Sequence, residues 1–149
     1  MSGSALFSIA GRPLGISQYG NLAGNEIAIT QPCVNATITV GDESANVRAI
    51  TIQLSDANGA DINYVETVMI VMYGAAAMTS FATTGGSTGI AIGTDGALLA
   101  LVAKKVFLAT SEADGDIDLT WTDTGTESVA LGVMLPNGRV VVTAAFANT

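Results

Sequence analysis

The sequence predicts an all-β fold, an immunoglobulin-like or jelly-roll β-sandwich with an extended N-terminal arm. Three observations carry this. From about residue 36 onward, short runs alternate apolar and polar residues with a period of two, as half-buried strands do. Gly, Asn, Asp and Ser interrupt those runs at short intervals, the rhythm of a sandwich or barrel. Residues 1–35, by contrast, keep neither a period of two nor one of 3.6, and carry Gly3, Gly11, Gly15, Gly20 and Gly24 with Pro13 and Pro32. The chain is therefore divided into an arm at 1–35 and a sandwich at 36–149.

The arm comes first. A structureless stretch of that length is uncommon inside a compact domain, so a neighbour is expected to order it. Leu6, Phe7, Ile9, Leu14, Ile16, Tyr19 and Leu22, followed by Ile27 and Ile29, are unlike the polar, charged make-up of disordered tails. The first seven are read as partner-binding residues.

Ala36 to Val40 sets Ile38 and Val40 on one face, and Val47 to Leu54 sets Ile50, Ile52 and Leu54 against outward Thr51 and Gln53. Asp56, Asn58 and Gly59 then reverse the chain, because short polar side chains bond nearby amides and Gly accepts a positive φ. Thr67 to Tyr73 is apolar on both faces, which places it centrally, with the core on one side and a partner or second layer on the other. Ala75 to Met78 reads as a loop, and Gly85-Gly86-Ser87-Thr88-Gly89 as a flexible one.

Gly89 to Gly93 is a short strand and Asp95-Gly96 a tight turn. Ala97 to Thr110 is a pair of strand segments broken near Lys104-Lys105, although its Ala, Leu and Lys content also suits a helix. Ile117, Leu119 and Trp121 alternate with Asp118, Thr120 and Thr122, and Val129, Leu131, Val133 and Leu135 repeat the pattern. Trp121 continues that apolar face and belongs to the core. Asn137-Gly138 between two apolar runs predicts a hairpin whose central residues both tolerate positive φ. Seven to nine strands result.

Composition then narrows the function. Only 12% of the 149 residues are charged, where soluble domains average about 25%, and 49% are hydrophobic. Much apolar side-chain area must therefore meet water or partners, and area on that scale marks contact surfaces. The net charge of −8 rests on only five basic residues, Arg12, Arg48, Lys104, Lys105 and Arg139. That balance excludes nucleic acid, which needs a cationic stripe, and disfavours an anionic membrane surface. The first residues lack a basic segment followed by an apolar run, and no stretch reaches the ~20 apolar residues of a spanning helix. Synthesis and retention in the cytoplasm until assembly is the expectation.

The inventory of reactive groups is short. With no histidine, the commonest general base and every Ser-His or Cys-His pair are missing, and Cys33 is the single cysteine, expected to be buried or at an interface. The Gly85 to Gly89 loop has neither the lysine nor the following helix of a phosphate-binding loop. Carboxylates cluster at Glu112, Asp114, Asp116 and Asp118, and more loosely from Asp56 to Asp61. The glycine between Asp114 and Asp116 and the lack of a closing glutamate depart from a calcium loop, so a solvated turn is expected. No catalytic, cofactor-binding or metal-binding residue is assigned, and no cofactor is expected.

Several blocks have a familial look: Ile38 to Val47 (ITVGDESANV), Ile52-Gln53-Leu54 with Asp56 and Gly59, Gly89 to Gly96 (GIAIGTDG), Ser111 to Leu119 (SEADGDIDL) and Leu135 to Gly138 (LPNG). Together they resemble small structural proteins of tailed-bacteriophage and prophage virions, over about residues 36 to 146. The resemblance implies a capsid decoration, or cement, protein with an immunoglobulin-like fold. It would sit on the capsid surface, partnered by the major capsid protein of the head, and self-associate, with a homotrimer favoured. A tail, fibre or neck component, or an immunoglobulin-like adhesion module, is the alternative.

Overall fold

The computed structural model describes residues 31–149. The arm residues assigned to partner binding, Leu6, Phe7, Ile9, Leu14, Ile16, Tyr19 and Leu22, lie outside the described residues. The compact unit that holds the sandwich runs Pro32–Thr149, so its first residues precede the expected boundary at 36. Cys33 is already 3% exposed, and its N–H donates to the Tyr64 hydroxyl at 2.7 Å.

Among the described residues there are nine strands: β1 (Asn35–Ser44), β2 (Val47–Ser55), β3 (Thr67–Tyr73), β4 (Gly89–Ile92), β5 (Ala97–Val102), β6 (Val106–Thr110), β7 (Asp116–Thr122), β8 (Ala130–Met134) and β9 (Val140–Val142). They form a four-stranded sheet of order β1-β2-β7-β4 and a five-stranded sheet of order β5-β6-β3-β8-β9. Every pairing is antiparallel. The protein is thus an all-β sandwich, as its alternation implies. Early strands interleave with late ones, β7 lying between β2 and β4 and β3 between β6 and β8, an arrangement of the jelly-roll type.

Each sheet turns rows of apolar residues to the space between the two. From the four-stranded sheet come Ile50, Ile52, Leu54, Ile117, Leu119 and Trp121, and from the other Val68, Ile70, Met72, Phe107, Leu131 and Val133. Such side chains contribute about 1.5–3 kcal/mol each when fully buried. Registers match the chemistry, with Ile52 opposite Ile117, and Ile70 between Phe107 and Val133. Trp121 packs edge-on against Phe146, with ring centroids 5.2 Å apart, and donates Nε1–H to the Gly85 carbonyl at 3.0 Å. Its expected core role holds.

The turns show where local chemistry chose differently. Ala97 to Thr110 is the expected pair of strands, broken at Lys104-Lys105. The β1–β2 connection is a two-residue hairpin loop, Ala45-Asn46, in which both residues have positive φ (52° and 66°). The β8–β9 hairpin forms as expected, but with another turn. Among its loop residues only Gly138 has positive φ, the Gly138 N–H donates to the Leu135 carbonyl at 2.9 Å, and the Arg139 N–H to the Asn137 side chain at 3.0 Å. Pro136 holds φ near −65°, which suits the first central position of a type I turn and excludes a mirror-image one. The reversal after β2 is as expected, with Asp56 Oδ1 accepting from the amides of Asn58 and Ala60 and Gly59 at φ 80°.

Candidate functional site

The sandwich has two outward faces, and the pairing registers decide what each presents. On the four-stranded sheet, Thr39, Thr51 and Asp118 form one row and Thr37, Gln53 and Asp116 the next. The Thr51 hydroxyl donates to Asp118 Oδ1 at 2.9 Å. This face is polar.

On the five-stranded sheet one row runs Leu99, Leu108, Met69, Met134, Val140 across all five strands. The row beside it runs Val102, Val106, Val71, Gly132, Val142, and Tyr73 opposite Ala130 follows. The Tyr73 ring lies over Gly132, where a Cβ would come within 2.6 Å of the ring. None of these residues carries a charge. The expectation that Thr67 to Tyr73 is apolar on both faces because each face is covered holds on the core side, and the outer side belongs to this larger apolar surface.

The surface is most open at its β5 margin. β5 ends the sheet order, so among the described residues only β6 pairs with it. Leu99, Leu101 and Val102 are 61%, 49% and 50% exposed. A shallow depression lined by Thr67, Ala97, Leu99, Leu108 and Thr110 opens beside them. The sequence signal was the same as for β3, an apolar run on both faces, but only the register shows that five strands contribute to one surface.

The acidic cluster gathers differently from the expectation. Asp95, in the turn before β5, joins Asp116 and Asp118 of β7, with carboxylate oxygens within 4.8 Å of one another. Asp114 stands outside that trio; its Oδ1 accepts from the Asp116 amide and its carbonyl from Gln53 Nε2. Asp116 Oδ1 is buried and has no hydrogen-bond partner among the described residues. Burial first, and then the charge of Asp118, push the Asp116 carboxyl above the usual carboxylate range. The trio is the one grouping among the described residues with metal-ligand character. It brings together three ligand atoms, one from each carboxylate, where calcium takes six to eight.

The glycine-rich loop is pinned rather than free. Glu127 accepts from the Thr84 hydroxyl and from the amides of Thr84, Gly85 and Gly86. Lys104 Nζ donates to the Ser87 carbonyl at 2.6 Å and the Gly86 carbonyl at 3.3 Å, and Asp123 Oδ1 accepts from the Ser87 amide. Burial pushes the Glu127 carboxyl up, but the Thr84 hydroxyl and the surrounding amides outweigh it and leave it below the usual range. Consecutive amides converging on an anion make a phosphate-type nest. Here the anion is the protein's own side chain, so the flexible loop read from composition is instead an internal tie.

No family model matches the sequence, and no curated protein matches it. Among solved structures, the chain is similar to a cohesin module from Clostridium perfringens ATCC13124 family 33 glycoside hydrolase. The two share 15% identity over 79% of this chain and 95% of that one, with a TM-score of 0.41, a level at which neither partner nor activity transfers.

Proposed function

We propose that this chain is a non-catalytic building block of a larger protein assembly: a capsid decoration (cement) protein of the tailed-phage kind, which binds outside the head and stabilises the major capsid protein lattice. The carrying observation is the uncharged apolar surface spanning all five strands of one sheet, from Leu99 to Val140. A contiguous apolar surface of that extent marks an interaction site. The sequence blocks that resemble virion proteins supply the particular assembly, and the apolar arm at 1–35 supplies a strap to a neighbouring subunit.

Imaging of phage particles that lack the protein tests this reading. Heads that assemble but leak or burst on heating are the expected result, and normal heads with defective tails would remove it in favour of a tail, fibre or neck role. Deleting residues 2–30 is expected to weaken attachment to heads at least about tenfold.

A further inference from the structure

We propose that the outer edge of β5, which pairs with no strand but β6 among the described residues, is a self-pairing site, to which a second copy of this chain adds its own β5 antiparallel across a twofold axis. The two five-stranded sheets then continue into one another. This inference rests on the building-block reading and not on which particle the block belongs to.

The edge itself is the first argument. An edge strand offers a row of unpaired N–H and C=O groups, and proteins that stay single guard it with lysine, proline or inward charges. Ala97–Val102 reads ALLALV and has none of these. One blunting device is present, a bulge between Ala100 and Val102 that leaves Leu101 without a partner on β6. It spares the regular stretch from Ala97 to Ala100. Leu99, Leu101 and Val102 are among the most exposed large apolar residues described, which is costly in water and favourable against another apolar strand.

Charge selects a second copy in antiparallel orientation. The strand begins just after Asp95, where the Gly96 amide points at Glu112 Oε1 at 3.4 Å, and ends just before Lys104 and Lys105. Antiparallel pairing of two identical strands brings the acidic start of one against the basic end of the other, twice. Parallel pairing would set like charges together. The strand between is uncharged, so the net charge of −8 on each copy does not act at the contact itself.

Sedimentation velocity of the full chain across micromolar concentrations tests the inference. A reversible dimer is expected. Leu99→Lys combined with Leu101→Lys should give a monomer that keeps its circular dichroism and cooperative melting, since both side chains are already exposed. Lys105→Glu should weaken the dimer at least about tenfold, and adding Glu112→Lys to the same chain should restore it, because only the twofold arrangement brings those positions together. A chain that stays monomeric, a trimer, or a dimer indifferent to these substitutions overturns the inference. Head binding is read separately, on the unsubstituted chain: a chain that stays monomeric yet binds heads sinks only the self-pairing, and one that dimerises without binding sinks only the decoration role.

Discussion

At mid-depth on the four-stranded sheet, the outward row is Thr39, Thr51 and Asp118, tied by a hydroxyl–carboxylate hydrogen bond. At mid-depth on the five-stranded sheet it is Leu99, Leu108, Met69, Met134 and Val140. The inward rows of both sheets have the same aliphatic and aromatic chemistry, so folding requires no such contrast. An antiparallel sheet with one face on the core is stable with polar residues on the other, as the four-stranded sheet demonstrates. The apolar outer face is therefore best understood through what meets it.

The contrast can be broken most forcefully at its centre. Val71, 6% exposed between Val106 and Gly132, has no room for a hydrated ammonium, so Val71→Lys should cost about 2–4 kcal/mol in chemical denaturation. Thr39→Lys on the opposite face should stay within about 0.5 kcal/mol, because Thr39 is solvated. Equal effects would mean that the two faces do not differ as described. Next in size is Gly132→Val, which forces the Tyr73 ring off the sheet and should cost about 1–3 kcal/mol, with a change in near-ultraviolet circular dichroism if the ring moves.

The polar face can be sharpened by pH. The Asp116 carboxyl holds its proton more tightly folded than unfolded, so its ionisation costs stability above its folded value, and that cost fades as pH falls through it. Asp116→Asn should accordingly melt higher than the parent at neutral pH, with the gap closing toward about pH 4. Glu127 works in the opposite sense: its contribution is present above the unfolded value and is lost as pH falls through the lowered folded one. An Asp116→Asn protein that melts lower at neutral pH would show that the carboxylate is stabilised there. Smallest of all is the expected response to calcium or a chelator. No shift in melting temperature should appear, and a rise with added ion would turn Asp95, Asp116 and Asp118 into a binding site.

Much of the fold is legible in the sequence. The alternations at Ile50 to Leu54, Ile117 to Trp121 and Val129 to Leu135 name the core residues because a strand's side chains point to opposite sides at every step. Asp56 and Gly59 announced their turn for the same local reason. The β8–β9 turn departs from the mirror-image type that Asn137-Gly138 suggests because Pro136 fixes a negative φ at the first central position. Of the surface, Thr67 to Tyr73 is legible as two-sided, whereas Ala97 to Thr110 is legible as a pair of strand segments, with its Ala, Leu and Lys content also suiting a helix, and not as the margin of an apolar face.

What the sequence determined alone is whatever depends on neighbours within a few residues: strand identity, which face of each strand is apolar, and the residues suited to turns. Tertiary structure decided which strands lie side by side. Leu99, Leu108, Met69, Met134 and Val140 come from five separate strands, and nothing local makes them one row. Asp95 reaches Asp116 and Asp118 only because the turn before β5 lies beside β7, and Glu127 reaches the Thr84 to Gly86 amides across some forty residues. Backbone hydrogen bonding is the same for any pair of strands, so register and order are chosen by the packing of all the side chains together, and a surface or site assembled across strands exists only once that choice is made.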